Sequence, residues 1–504
     1  MSGDSLSTFA TMATIWWLLF WTAIGLCIGS FLNVVVYRIP RNQSLREPLW
    51  SACPHCRKRI CWYDNIPVIS FVLLGGRCRA CGVPIATRYL VIEVVMALIT
   101  LMLLDAFFVG QVREGLSNSR FGLTDRLSYD WPIYLAHVIL FACLLAMSTI
   151  DLEHYWVDVR FTNMVTVAGF ALHTVWTPRH GAEWIRPFDT TAVVSVFALG
   201  GLGLVWVVLV CQPHEDPEDF GDFVVEDPEP EPEVSIPRMP PRLSQPSRLA
   251  GWTTFFLLTA LLMALFLEET GYVELRYVGR IWPVLLLFFI LILCENTVSR
   301  ASDQAIIEAI HDERHGARRM VLSELGLLLP AVFFAVMGYW LMRSGEDAPG
   351  RISAALHADV QIPWLASLRA WTPLYGFATA ASGYLIAGAI GWCVRIVFTL
   401  LFGKEAFGTG DIHLMAAAGC VAGWPIVVIG FFLTCVLALL GWLLSLPFKR
   451  TRALPLGPWL SLSFLIVVVL YEPILRLPFV WRAIEATRWL ILNNSQPLAI
   501  GDLP

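Results

Sequence analysis

The sequence predicts an all-α polytopic membrane protein with about 12 transmembrane helices and one small cytoplasmic four-cysteine domain of the zinc-ribbon type. Of its 504 residues 57% are hydrophobic and only 15% are charged, which departs far from soluble domains. Apolar runs long enough to cross about 30 Å of hydrocarbon recur along the chain. Helices satisfy every backbone polar group within such a run. We therefore expect a lipid bilayer as the surroundings and no nucleic-acid partner.

The apolar runs and the polar stretches between them divide the chain into six parts. No basic residue and no small-residue cleavage site precedes the first run, so we expect a retained membrane helix and not a removed signal peptide. The parts are a first transmembrane helix (1–37), the cytoplasmic four-cysteine domain (38–88), membrane helices (89–177), an inserted membrane region (178–375), further membrane helices (376–474) and an interfacial tail (475–504).

The distribution of basic residues predicts the orientation of these helices. Residues 38–88 contain nine Lys or Arg against Glu47 and Asp64, so the positive-inside rule makes this segment cytoplasmic. The predicted crossings are 13–37, 89–110, 132–150, 159–177, 190–211, 251–267, 280–294, 321–343, 376–402, 411–423, 425–446 and 456–474. On this count both Asp151 and Asp411 lie at the cytoplasmic face.

The inserted region, 178–375, contains two polar segments. Residues 213–247 are rich in acids and prolines and lack apolar surface, which is typical of a disordered linker; attraction of a basic peptide is the alternative. Residues 300–319 mix apolar and charged positions, which favours a helix lying on the inner membrane surface.

Asp411 is the better marked of two carboxylates at membrane boundaries. It follows the apolar run 376–402 in the stretch Gly408-Thr409-Gly410-Asp411. An ionisable group at the mouth of a membrane helix is costly, so it indicates a functional site. Gly408 and Gly410 would let a substrate chain approach the backbone closely. The alternative is that Asp411 is the N-cap residue of the next helix.

Asp151 is the second carboxylate, at the end of the third apolar run. If it meets Asp411, like charges a few Å apart cannot both be ionised, and the pair would share one proton. One carboxylate could then take a proton from water while its protonated partner polarises a peptide carbonyl. Glu153 and Asp158 lie nearby and are weaker candidates because neither ends the apolar run.

Four cysteines form the pairs Cys53-x-x-Cys56 and Cys78-x-x-Cys81. Two such turns can bring four thiolates to one tetrahedral zinc ion. Four protein ligands leave no open coordination position, so the predicted zinc site is structural. A cytoplasmic location favours metal binding over disulfides. Cys61 is a spare thiol nearby.

Taken together, these motifs resemble the type IV prepilin peptidases, a family of membrane aspartic proteases. The resemblance rests on matches that occur in the family's order: Gly29-Ser30-Phe31-Leu32-Asn33, Tyr37-Arg38-Ile39-Pro40, both CxxC pairs, Asp64-Asn65-Ile66-Pro67-Val68-Ile69-Ser70, Arg88-Tyr89 with Glu93, Ile150-Asp151-Leu152, Gly408-Thr409-Gly410-Asp411 and Leu456-Gly457-Pro458-Trp459.

The resemblance implies cleavage of the leader of type IV prepilins or type II secretion pseudopilins, with Asp151 and Asp411 as the catalytic pair. It implies the bacterial inner membrane, with the catalytic side facing the cytoplasm. Members with the cysteine-bearing domain resemble bifunctional enzymes that also methylate the new N-terminus with S-adenosylmethionine. No glycine-rich nucleotide motif in this sequence indicates that cofactor by itself.

Two other classes of function compete with the peptidase. The aspartates could be ion sites of a proton-coupled transporter, although no broken-helix repeat supports it. The chain could also be a noncatalytic assembly scaffold that depends on the four-cysteine domain and not on the aspartates.

Overall fold

The protein was analysed as a computed structural model. The structure describes residues 3–41, 43–47, 50–112, 116–117, 123–154, 157–176, 190–211, 273–297, 317–347, 372–403, 407–445, 455–475, 477–478 and 482. The predicted linker 213–247 and the predicted crossing 251–267 lie outside the described residues, as do nearly all of the predicted interfacial helix 300–319 and of the tail 475–504.

The described part of the chain is mostly helical and contains no β-strand. Its helices are α1 (Gly3–Arg38), α2 (Ile69–Leu73), α3 (Thr87–Leu104), α4 (Leu123–His154), α5 (Val159–Val175), α6 (Thr190–Cys211), α7 (Val273–Thr297), α8 (Ala317–Asp347), α9 (Thr372–Phe402), α10 (Thr409–Ala422), α11 (Trp424–Ser445), α12 (Leu456–Val469) and α13 (Tyr471–Leu475). A π-helical turn, Asp105–Val109, extends α3.

Five of these helices are long and apolar enough to cross a membrane. They comprise Thr14–Arg41, Thr87–Val109, Leu123–His154, Gly376–Phe402 and Trp424–Leu444. Four shorter apolar helices, Val194–Val205, Arg280–Cys294, Glu324–Trp340 and Leu456–Val469, coincide with further predicted crossings. The described residues thus confirm a mostly helical fold with helices that could cross a membrane, whereas the count of 12 crossings stays a prediction.

The core forms where apolar helices from the two ends of the sequence meet. Helices α1, α3 and α4 pack together, and α10 packs between α5 and α9. Helix α12 packs against both α4 and α11. Their shared interior is almost entirely aliphatic and aromatic. This packing brings the end of α4 close to the start of α10.

The inserted region packs directly against this core. Helices α6 and α8 pair with each other and both contact α9, while α7 contacts α3, α11 and α12. Arg280 of α7 forms a buried ion pair with Asp105 in the π-helical turn, with Nε to Oδ2 at 2.7 Å. A buried charge needs such a counter-charge, so this ion pair anchors α7 to α3.

The four-cysteine domain folds as two similar turns. An isolated antiparallel bridge, Ala52 to Arg59, encloses the first CxxC pair, and a second bridge, Arg77 to Pro84, encloses the other. The amide of the first cysteine in each turn donates to a carbonyl five residues ahead, Cys53 to Lys58 and Cys78 to Val83. Both turns therefore present their two cysteines in the same way.

Candidate active site and metal centre

Asp151 lies in the last turn of α4 and is 7% exposed. Its Oδ2 accepts a hydrogen bond from the backbone N–H of Gly457 at 3.0 Å. Gly457 belongs to the first turn of α12, where amides have no partner within the helix and the helix dipole favours negative charge. The start of α12 therefore fixes the orientation of the Asp151 carboxylate.

Gly457 leaves the space that this carboxylate fills. A Cβ atom at that position would lie 2.7 Å from Oδ2 of Asp151, which is closer than unbonded carbon and oxygen atoms approach. The adjacent contact between the two helices is polar as well, since the Ser148 hydroxyl donates to that of Ser461 at 2.9 Å. The motif Leu456-Gly457-Pro458-Trp459 thus acts directly on Asp151, a role that its sequence did not reveal.

Asp411 occupies the third position of α10. The helix begins at Thr409, and Gly408, with extended backbone angles, takes the N-cap position. The alternative that Asp411 is the N-cap residue is therefore wrong. Its side chain bends back toward Gly408, where an added Cβ atom would lie 3.3 Å from Oδ2. An acid in the first turn is also stabilised by the helix dipole.

Gly410 brings the start of α10 against the segment that follows α4. A Cβ atom on Gly410 would lie 2.9 Å from Cβ of Val157. The residue that approaches the backbone of Gly410 closely in the structure is therefore Val157 of the same chain. Helices α4 and α10 touch, and the carboxyls of Asp151 and Asp411 interact electrostatically. The structure thus brings the two carboxylates singled out in the sequence near each other.

The four paired cysteines also come together. Their Sγ atoms all lie within 4.8 Å of one another, and those of Cys53 and Cys81 are 3.9 Å apart. Four sulfurs around a tetrahedral zinc, each about 2.3 Å from the ion, are about 3.8 Å apart. The donor set and its spacing therefore fit zinc held by Cys53, Cys56, Cys78 and Cys81.

Comparison with known proteins gives two separate family matches. Residues 23–107 match the bacterial peptidase A24 N-terminal domain, and residues 356–443 match the type IV leader peptidase family. The first match contains all four clustered cysteines, and the second contains Asp411 with its two glycines. Two separate parts of the chain are therefore similar to type IV leader peptidases.

Named members of this family resemble parts of the chain. A prepilin leader peptidase/N-methyltransferase of Myxococcus xanthus is 38% identical over 149 residues, which cover 30% of this chain and 38% of that protein. A type 4 prepilin-like proteins leader peptide-processing enzyme of Escherichia coli is 37% identical, covering 29% and 54%. A prepilin leader peptidase/N-methyltransferase of Burkholderia pseudomallei is 28% identical, covering 40% and 64%.

In each case the matched part spans less than two thirds of the relative's own length. No solved structure matches the chain.

The two carboxylates that compete with Asp151 are engaged elsewhere. Glu153 forms an ion pair with Arg88 at the start of α3. Asp158 is the N-cap residue of α5, where it accepts from the amide of Arg160 at 2.8 Å and pairs with its guanidinium. Both contacts support ranking these two acids below Asp151.

A further contact joins the four-cysteine domain to the membrane helices at the face of Asp151. The amide of Val68 donates to Oε2 of Glu93 on α3 at 2.7 Å. Nearby, the side-chain amide of Asn33 on α1 donates to the carbonyl of Tyr89 on α3 at 3.0 Å, so it links two membrane helices. Because Arg88 and Glu153 lie there as well, the four-cysteine domain and Asp151 share one face of the helix bundle.

A cavity of about 410 Å³ lies beside Asp151, between α3, α4, α7 and α12. Its walls are largely aliphatic, and its charged members, Arg88 and Glu153, are paired with each other. This lining suits an apolar group. It does not fit S-adenosylmethionine, which carries charges and many hydrogen-bonding atoms.

The second CxxC turn favours the thiolate of Cys78 even before a metal binds. Backbone N–H groups of Cys81 and Ala80 lower the pKa of the Cys78 thiol to about 7. Thiolates are the form in which cysteine ligates metals. In the same domain, the Arg79 guanidinium holds the pKa of the Asp64 carboxyl below its usual value.

We expect Cys53→Ser or Cys78→Ser to remove bound zinc from the purified protein, because a hydroxyl replaces a thiolate ligand. Zinc binding contributes about 10–16 kcal/mol of apparent free energy in small structural sites, so the four-cysteine domain should also unfold. Zinc per chain, measured by mass spectrometry of the metal, should fall from about one to near zero. Cys61→Ser is the matched control, since Cys61 lies outside the cluster. If Cys53→Ser still bound about one zinc ion per chain, the assignment of Cys53 as a zinc ligand would be contradicted.

Proposed function

We propose that the chain is a membrane aspartic endopeptidase that cleaves the leader of type IV prepilin-like or type II secretion pseudopilin precursors. The observation that carries this proposal is that Asp151 and Asp411 lie near each other, where α4 touches α10. These residues come from helices far apart in sequence, and their carboxyls interact. The similarity of two parts of the chain to leader peptidases supports the same reaction.

The shared environment of the two acids gives them complementary roles. Two nearby carboxylates retain one proton between them, because ionising both would place like charges together. The ionised member takes a proton from a water molecule, which attacks the scissile carbonyl, while the protonated member donates a hydrogen bond to that carbonyl oxygen. The pair titrates as a unit, so neither residue has a fixed role.

The active site would face the cytoplasm, in the inner membrane of a bacterium, within the predicted plan of 12 crossings. The contacts of Arg88 with Glu153 and of Val68 with Glu93 support this orientation, because the first joins the basic domain to the end of α4 that carries Asp151 and the second joins it to α3. Nine Lys or Arg in residues 38–88 favour the cytoplasmic side. Zinc, where bound, would stabilise the four-cysteine domain and take no part in cleavage.

Methylation of the new N-terminus is the second activity that we propose. Two relatives carry N-methyltransferase in their names, and both CxxC pairs are present here. The cavity beside Asp151 does not fit S-adenosylmethionine, and cleavage needs no such cofactor. Methylation would therefore use a surface other than that cavity.

Co-expression with a prepilin from the same source tests both activities at once. Mass measurement of the pilin N-terminus should show loss of the leader, and the added mass of one CH₂ group would report methylation. An uncleaved pilin beside correctly inserted protein would contradict the peptidase. In that case pH-dependent ion flux in liposomes would support the transporter.

A further inference from the structure

The inserted region touches the segment that carries Asp411 through one buried arginine. Arg395 lies on α9 and is 1% exposed. Its Nε and Nη2 atoms donate to both carboxylate oxygens of Glu324 on α8, at 3.1 and 3.0 Å. The guanidinium stays charged when buried, so it depends on this carboxylate from the insertion.

The same guanidinium holds the backbone immediately before the Gly-x-Gly-Asp motif. Nη1 of Arg395 donates to the carbonyl of Phe407 at 2.6 Å. Phe407 directly precedes Gly408, the N-cap residue of α10, and Asp411 follows four residues after Phe407. The Phe407 ring is buried against Phe431 of α11, with ring centroids 5.8 Å apart. The residue is thus held by its backbone on one side and its ring on the other.

A second contact from α8 reaches the end of α9. Gly403 has φ of +67°, and an added Cβ atom there would lie 3.3 to 3.4 Å from guanidinium atoms of Arg318. Both Arg318 and Glu324 lie in the first third of α8. The beginning of α8 therefore contacts α9 at Arg395 and near its C-terminal end, and Arg395 in turn contacts Phe407 on the far side of the short connection between α9 and α10.

We infer that the inserted helix α8 positions the Gly-x-Gly-Asp segment through the Glu324–Arg395 pair, so that Arg395 is a positioning residue for Asp411. This inference rests on the proposed peptidase function. Its physical basis is the guanidinium group of Arg395, which donates hydrogen bonds to the Glu324 carboxylate and to the Phe407 carbonyl at the same time. The insertion thus becomes part of the machinery that sets the distance between Asp411 and Asp151.

The first test removes the counter-charge while keeping the shape. Glu324→Gln should lower kcat for leader cleavage about a hundredfold, because small displacements of a catalytic group have effects of that size. KM should change little, since the pair touches no part of the substrate. The pH profile of kcat should also shift, because the spacing of the two aspartates sets how they share a proton.

A charge swap separates positioning from simple anchoring. The double variant Glu324→Arg with Arg395→Glu restores an ion pair between α8 and α9 but turns an acceptor toward the Phe407 carbonyl. If Arg395 positions the segment before Asp411, the double variant should recover the melting temperature of the protein but not its cleavage activity. Recovery of both would overturn the inference in favour of anchoring.

The other buried ion pair of the insertion provides the matched control. Asp105 lies roughly 25 Å farther along α3 than Arg88, toward the opposite face of the bundle. Arg280→Gln removes its partner and should lower stability without changing the pH profile of kcat. A loss of kcat equal to that of Glu324→Gln would mean that any loosening of the insertion has the same effect, which would also overturn the inference.

Hydrogen exchange tests the inference without any cleavage assay. In the full-length protein, amides of residues 412–415, which bond to the carbonyls of residues 408–411 in the first turn of α10, should exchange about tenfold faster in Glu324→Gln, while those of α11 remain protected. Unchanged exchange at 412–415 would contradict positioning by α8. If the wild-type protein cleaved no prepilin, the proposed function would fail, and this measurement would still decide the role of Glu324.

Discussion

Asp151→Asn and Asp411→Asn should each abolish leader cleavage while the protein still inserts and folds. Asparagine has nearly the shape of aspartate, so the contact of residue 151 with the amide of Gly457 can persist. What disappears is the ability to exchange a proton with water or to share one with the partner. The rate of cleavage should fall by roughly four orders of magnitude, as in other enzymes that lose one member of a coupled catalytic group.

Asp158→Asn is the matched control for this experiment. Asp158 lies only a few residues from Asp151, but it is the N-cap residue of α5, and asparagine caps a helix about as well as aspartate. Cleavage by Asp158→Asn should stay close to wild type. Retained cleavage in either Asp151→Asn or Asp411→Asn would refute the proposed mechanism. Assembly that tolerates the loss of both aspartates but fails in Cys53→Ser would favour the scaffold.

The sequence predicted those parts of the protein whose signals are local. Long apolar runs indicated helices, and two CxxC pairs indicated the cluster that the fold assembles. Asp151 and Asp411 stood out because each ends or begins an apolar run. The sequence could predict only that both aspartates lie at the same face of the membrane. That they lie near each other depends on how α4, α10 and α12 pack.

The sequence did not reveal the residues that act through those two acids. Arg395 is the only charged residue in the run 376–402. The rule that an ionisable group in a membrane helix indicates a functional site, which singled out Asp411, applies to Arg395 as well. Its partner Glu324 comes from the insertion, so no local pattern links them. Gly457 was noticed only within a family motif, and its contact with Asp151 becomes visible only in three dimensions.

Gly457→Ala should lower kcat for leader cleavage about a hundredfold with little change in KM. The added methyl group would occupy a point 2.7 Å from Oδ2 of Asp151, so the carboxylate must turn away from the helix start that holds it. The side chain of Asp151 can rotate, whereas the backbone of α12 is packed against α4 and α11. The change should therefore act on the position of Asp151 and not on the fold.

Helix propensity separates an effect of Gly457→Ala on the position of Asp151 from an effect on the stability of α12. Alanine is more favourable than glycine in a helix by about 1 kcal/mol, so Gly457→Ala should not weaken α12 itself. Gly203→Ala is the matched control, because an added Cβ atom there meets nothing within 4 Å. Steady-state cleavage and a thermal melt of both variants separate the two effects. If Gly457→Ala cleaves as fast as Gly203→Ala, the start of α12 does not hold the catalytic carboxylate. If Gly457→Ala cleaves the leader more slowly but melts at an unchanged temperature, the role of Gly457 is to leave space for the Asp151 carboxylate.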